Sequence, residues 1–256
     1  MATENKPRAQ ARRKAHEHGP DHGHDHHVAG HHHRDVSGGW LRPAVFGAMD
    51  GLVTNVSLIA GVGGGGASAH AIILTGLAGL AAGAGSMAAG EYVSVSSQNE
   101  LIQAEVNKER LELERNAVAE QAELATMLRA RGVSMATARQ AAAEISQHPE
   151  KALAVHALEE LGVDPAELPS PIVAAGASLA SFAIGAVIPL LPYLAGFHAL
   201  WAALGLAAVA AVVGGGTVSR LTERPFWRGA LRQLVLGAAA AAITYLIGLG
   251  VGHAAG

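Results

Sequence analysis

The chain has 256 residues, 50% of them apolar and only 15% charged, with a formal net charge of −3 and no cysteine. Near-neutral charge argues against a nucleic-acid-binding surface, and the lack of thiols excludes disulfides and thiolate metal sites. The few charges are segregated: residues 43–95 are nearly devoid of them, 96–168 are mixed, 170–219 have none and 229–256 have only Arg232. A soluble domain interleaves charge with its apolar segments, so this distribution predicts a membrane protein.

Residues 1–38 come first and form a polar tail. "HEHGPDHGHDHHVAGHHHRD" places nine His between 16 and 33, interleaved with Gly and Asp. Its polarity is unlike a signal peptide, and the first apolar stretch after it is too long for one. Two origins stand, a native metal-binding tail and an expression tag; the interruptions favour the native one. Imidazole-rich flexible tracts suit Zn²⁺, Ni²⁺, Cu²⁺ or Fe²⁺, and the composition predicts disorder.

A helix needs about 20 apolar residues to cross about 30 Å of hydrocarbon. Five segments qualify: 43–63, 71–95, 171–192, 197–219 and 229–251. The fold class is therefore all-α, a polytopic membrane protein with five transmembrane helices. It divides into the tail (1–38), spans one and two (39–96), a cytoplasmic helical insert (97–168) and spans three to five (169–256). Lys and Arg occur only before span one, between spans two and three, and around the start of span five. The positive-inside rule puts the N-terminus and the insert in the cytoplasm and the C-terminus outside. Trp40, Tyr193, Trp201 and Trp227 fall near span ends, where interfacial aromatics gather.

Span one carries the first unusual residue, Asp50. On a helical wheel Gly47, Asp50, Thr54, Ser57 and Gly61 share a face about 80° wide. A charge at mid-membrane costs about 2.5 to 3.5 kcal/mol on insertion scales. Either Asp50 is a protonated packing residue, or it lines an ion pathway, which is the default for an intramembrane acid. Span two has a lane of Gly76, Gly79, Gly83, Met87, Gly90 and Ser94. Small residues at this spacing let another backbone approach. Met87 is the only long side chain in the lane: ordinary packing, or a soft thioether ligand reaching into a gap. Glu91 closes the span on the cytoplasmic side, as an interfacial charge or as part of the path.

The insert begins with a helical pattern unbroken by Pro or Gly from about 97 to 131. Glu105, Glu109, Glu112, Asn116, Glu120 and Glu123 fall within about 80° of one another on its wheel. Like charges at helical spacing repel mildly, so a bound cation would offset them; an acidic solvated face is the other reading. Two shorter helices follow, one from Ser134 as N-cap and one from Pro149 to Gly162. In the second, His156 and Glu160 are four apart on one face: a surface hydrogen bond, the commoner role of such a pair, or two ligands for one cation. No nucleophile or phosphate loop appears, and "GGGG" at 63–66 lacks the Lys-Ser/Thr of one. A di-iron oxidase would need Glu-x-x-His motifs on two helices, and the Glu-rich helix has no His. Nothing indicates an enzyme or a prosthetic group.

"DGLVTNVSLIAGV", "GAGSMAAGEYVSVSSQNE", the Glu-rich helix and "ASLASFAIGAVIPLLPYL" resemble vacuolar iron transporters, in the bacterial branch, over about residues 38–252. The resemblance implies five transmembrane helices per chain, a homodimer with the ion path between subunits, and export of Fe²⁺ and often Mn²⁺ in exchange for protons. It implies that Asp50 and Met87 line the path. It also implies that the insert binds metal through two glutamate pairs, a spacing reproduced by Glu109, Glu112, Glu120 and Glu123, and that Glu160 completes the site. His156 stands where the family has Met, a harder and titratable ligand in place of a thioether. The expected setting is a bacterial cytoplasmic membrane, with divalent cations and protons as the partners. The alternative function is a metal-binding sensor or scaffold that does not translocate.

Overall fold

The computed structural model describes residues 39–255, and the His-rich segment lies outside them. Among the described residues every regular element is helical. The five expected spans are present as helices long and apolar enough to cross a membrane. They are α1 (Leu41–Gly64), α2 (Ala69–Arg115), a composite span from Pro171 to Leu194, α8 (Leu200–Leu221) and α9 (Phe226–Ala255). Between α2 and the third span lie α3 (Ala117–Ala130), α4 (Met135–Ser146) and α5 (Pro149–His156).

Helix α2 runs unbroken for 47 residues, about 70 Å at 1.5 Å per residue. The hydrocarbon needs about 20 of those residues, so more than half of α2 projects beyond it as a rigid arm. The Ser68 hydroxyl starts this helix by accepting from Ala71 N–H at 3.3 Å. Ser134 does the same for α4 by accepting from Thr137 N–H at 3.2 Å, as its sequence position predicts.

The third span is not one regular helix. α6 (Pro171–Val187) gives way to a 3₁₀ turn (Ile188–Leu190) and a short α7 (Leu191–Leu194). Pro189 has no N–H to donate and tightens the ladder. The Ala186 carbonyl, which the tightened turn leaves in need of a donor, accepts from Asn55 Nδ2 on α1. Asn55 is fully buried, so one amide joins α1 to the break.

Glycine permits the closest helix contacts. A Cβ on Gly185 of α6 would overlap the Ala48 carbonyl of α1, and one on Gly51 would overlap the Phe182 carbonyl. At its far end α1 meets α9 as closely, Gly248 against the Gly61 carbonyl. The glycine lane of α2 is not held for another backbone along its length. Gly76 receives Leu190, Gly79 receives Leu58 and Gly83 receives Phe182, all from the same chain, while the space around Gly90 is open. Tyr193 also departs from its expected interfacial role: it is buried with Ile59, Ile72, Leu190 and Ala203. Trp40, Trp201 and Trp227 are exposed as expected.

The insert packs as a small helical bundle. Leu124 and Ala125 of α3 meet Ala138 and Ala142 of α4. The arm of α2 contributes Val106 against Leu153 and Ala157. Asn99 Nδ2 donates to the Pro169 carbonyl at 2.9 Å, tying the returning chain to α2.

Candidate functional site

The helical pattern of 97–131 predicts one uninterrupted helix, and the structure breaks it at Asn116. That residue has φ −128° and ψ 33°, ending α2 and starting α3. Its N–H donates to the Glu112 carbonyl at 2.8 Å, and its own carbonyl accepts from Ala119 and Glu120. In a continuous helix, Glu109 and Glu120 would sit about 16 Å apart along the axis. The break instead brings both to one imidazole. His156 Nδ1 lies 3.0 Å from Glu109 Oε1 and 4.0 Å from Glu120 Oε2. It is hydrogen-bonded to Glu160 Oε1 at 3.1 Å.

Local structure explains why His156 and Glu160 converge. α5 ends at His156 and continues as a π-helical turn, Ala157–Leu161, closed by Gly162 at φ 68°. Such turns insert a residue into the helical ladder and re-aim the side chains around it. Arg131, at the end of α3, holds Glu159 at 3.0 Å, leaving Glu160 to face the imidazole. One ligand atom from each of Glu109, His156 and Glu160 lies within 4.8 Å of the others. Ligands about 2.1 Å from a cation stand about 3.0 Å apart when adjacent and about 4.2 Å when opposite, so a small inward movement closes the set.

Burial sharpens the electrostatics here. His156 is fully buried, and Glu109 and Glu120 are each 7% exposed. Glu109 Oε1 and His156 Nε2 are buried without a hydrogen-bond partner. Burial, then the Glu160 charge, pushes the Glu109 carboxyl up to about 6 from 4.5; His156 opposes this, and Glu120 and Glu112 add to it. Glu120 is raised in the same way, by burial first and the Glu123 charge second. Both groups lie on the arm and the insert, outside the spans. Buried carboxylates at this density are costly unless a positive charge joins them. One imidazole with several carboxylate oxygens suits borderline and hard divalent cations.

The remaining expected residues take different places. Glu112 is half-buried and Glu123 exposed beside the cluster. Glu105 is exposed and pairs with Lys108 at 3.6 Å. In the spans, Asp50 is half-buried on α1 with Thr54 Oγ1 at 3.5 Å. Its wheel neighbours diverge: Gly47 abuts Ser178 and Ser181 of α6, and Gly61 abuts Thr244 of α9. Met87 packs beside Ala84, Phe182 and Ala186. Glu91 lines a cavity of about 380 Å³ with Arg42, Phe46 and Met49 of α1 and Gln233 of α9. Residue spacing alone did not reveal this cavity, because it depends on how α9 stands against α1 and α2.

Residues 41–249 match the VIT family. The chain belongs to that family. It is 36% identical over 228 residues to a "Vacuolar iron transporter" of Acanthamoeba castellanii, covering 86% of this chain and 83% of that one. It is 37% identical over 211 residues to "Vacuolar iron transporter homolog 1" of Oryza sativa subsp. japonica, covering 80% and 71%. It is 36% identical over 212 residues to "Vacuolar iron transporter homolog 3" of Arabidopsis thaliana, covering 80% of each chain. These VIT relatives are transporters by name, and the chain is an integral membrane protein rather than an enzyme.

Proposed function

We propose that this VIT-family chain carries divalent metal, Fe²⁺ and/or Mn²⁺, out of the bacterial cytoplasm across the cytoplasmic membrane in exchange for protons. The observation that carries this is the cluster of buried Glu109 and His156 with the more exposed Glu160, and buried Glu120 beside it. It is built partly on the same helix that bears Met87 and Glu91. Relatives named vacuolar iron transporters support iron as cargo.

Metal first collects on the cytoplasmic insert, where the cation offsets the mutual repulsion of Glu109, Glu120 and Glu160, with Glu112 and Glu123 close by. It moves along the arm of α2 to Glu91 at the cytoplasmic mouth. It then reaches Asp50 and Met87, on a path between two copies of the chain in a homodimer. The thioether takes a partly dehydrated soft or borderline ion. A carboxylate in low dielectric is neutralised by whichever positive species is offered. Asp50 therefore holds metal or proton alternately, and that competition couples the two fluxes. The N-terminus is cytoplasmic and the C-terminus outside, as the basic residues dictate.

The test is metal flux in sealed proteoliposomes under an imposed pH gradient. The intact protein should move Fe²⁺ or Mn²⁺ with counterflow of protons, and Asp50→Ala should not. Full flux from Asp50→Ala rules the scheme out. Metal binding without uptake into the vesicle lumen by the intact protein makes it a sensor or scaffold instead.

A further inference from the structure

We infer that a cavity between α1, α8 and α9 is a binding site for the acyl chain of a bilayer phospholipid. The cavity measures about 440 Å³ and is lined almost wholly by apolar atoms. Leu52 and Val56 of α1, Ala207 and Ala211 of α8 and Ala241 of α9 are all buried around it. Their mutual packing leaves the space unfilled, and the cause is local. α9 is pinned near its start by Gly229 against Gly215 of α8 and near its end by Gly248 against Gly61 of α1. Between these contacts residues 237–242 are all Gly or Ala. Small side chains face small side chains on α8, and nothing reaches across.

The occupant follows from volume and chemistry. Water requires two to four polar partners, and the lining does not supply them. A helix from a second copy is too large: a cylinder about 10 Å across and one turn long already fills about 420 Å³. An apolar void of roughly 150 Å³ takes one benzene. On that scale about 440 Å³ holds about eighteen carbon atoms, a common acyl length. Access is short. The outward face of α9 exposes Val235, Leu236, Ile243, Leu246 and Ile247, so lipid lies on its other side. Ala238, Ala242 and Tyr245 line the cavity while remaining exposed, which marks the opening. Dispersion contacts missing from an empty void are restored by the tail. The tail then acts as a wedge between α1, which carries Asp50, and the α8–α9 pair. This site stands whether or not the chain transports metal.

The test uses the full chain in detergent micelles, titrated with small mole fractions of a phosphatidylcholine that carries a photoreactive diazirine in its tail. Labelling should reach Leu52, Val56 and Ala211 and saturate as the probe is raised. On Leu236 and Ile247 it should rise in proportion to the probe. Unlabelled lipid should compete only at the cavity. In the double variant Ala207→Leu, Ala241→Leu, cavity labelling should fall at least fivefold with the outward positions unchanged. If that variant does not fold, the saturation and competition measured on the unaltered chain decide alone. Cavity residues that stay unlabelled, that label without saturation, or that label with a free diazirine fatty acid but not with the phospholipid overturn the assignment.

Discussion

Replacing Glu109 by Gln tests whether burial or ion pairing governs the acidic cluster. Two effects oppose each other at this carboxyl. Burial and the nearby glutamates disfavour its charge, and His156 favours it. The first wins, raising the group from 4.5 to about 6. That rise corresponds to about 2 kcal/mol, at about 1.36 kcal/mol for each tenfold. Between pH 4.5 and 6 the folded insert binds more protons than the unfolded chain. The stability attached to Glu109 is therefore full below the lower value and lost as pH rises through the upper one. At pH 7.5 the metal-free insert carries the whole penalty. Gln keeps the shape, never ionises and removes it. Hydrogen exchange on the full protein in detergent, with a metal chelator present, reads the local opening of α3 and α5. Their amides should exchange up to about 30-fold more slowly in Glu109→Gln than in the parent at pH 7.5, the equivalent of about 2 kcal/mol. At pH 4 the two proteins should match. Adding Mn²⁺ should slow exchange in the parent far more than in the variant, because the ion needs the carboxylate. Faster exchange in metal-free Glu109→Gln at pH 7.5 would refute the reasoning, since the attraction between His156 and Glu109 would then outweigh the cost of burial.

Metal uptake by the insert should displace a proton from Glu109, so a titration with Mn²⁺ in weak buffer should acidify the medium strongly near pH 6 and little from this group at pH 8. Glu105→Gln should leave metal affinity within about twofold by calorimetry, since Glu105 is exposed and pairs with Lys108, and exposed pairs contribute about 0 to 1 kcal/mol. Asn55→Ala should destabilise the membrane bundle by about 1 to 3 kcal/mol in unfolding assays, because the Ala186 carbonyl loses its donor. Gly185→Ala should cost about 1 to 3 kcal/mol by overlap with α1, whereas Gly176→Ala on the same helix meets open space and should be neutral or slightly stabilising by thermal melting.

Span positions were legible because lipid imposes a local rule: each crossing helix must satisfy its own backbone and present about 20 apolar residues. The segments 43–63 and 171–192 reappear as Leu41–Gly64 and Pro171–Leu194 within two residues at each end. Asp50 and Met87 stood out for the same reason, as a charge and a flexible thioether among small apolar residues. Lane and wheel patterns were less informative. The lane of α2 is filled by Leu58, Leu190 and Phe182, and a one-dimensional pattern does not say which neighbour fills it. Two signals lay in residue type, and the helical periodicity hid the second by placing Asn116 on the acidic face. Asn55 is the one amide in span one, and Asn116 is a weak helix former amid Glu, Arg and Ala.

By itself, the sequence determined the helical class, the five crossings and the supply of acidic side chains, because each follows from composition and local spacing. Only the tertiary structure decided which acids meet. The break at Asn116 places Glu120 beside the imidazole that also faces Glu109, and the π-turn after His156 adds Glu160. Their convergence rests on α3 and α5 packing against one another's neighbours through Leu124, Ala138, Leu153 and Val106. Such long-range burial depends on the shape of the whole bundle, and no run of adjacent residues encodes it.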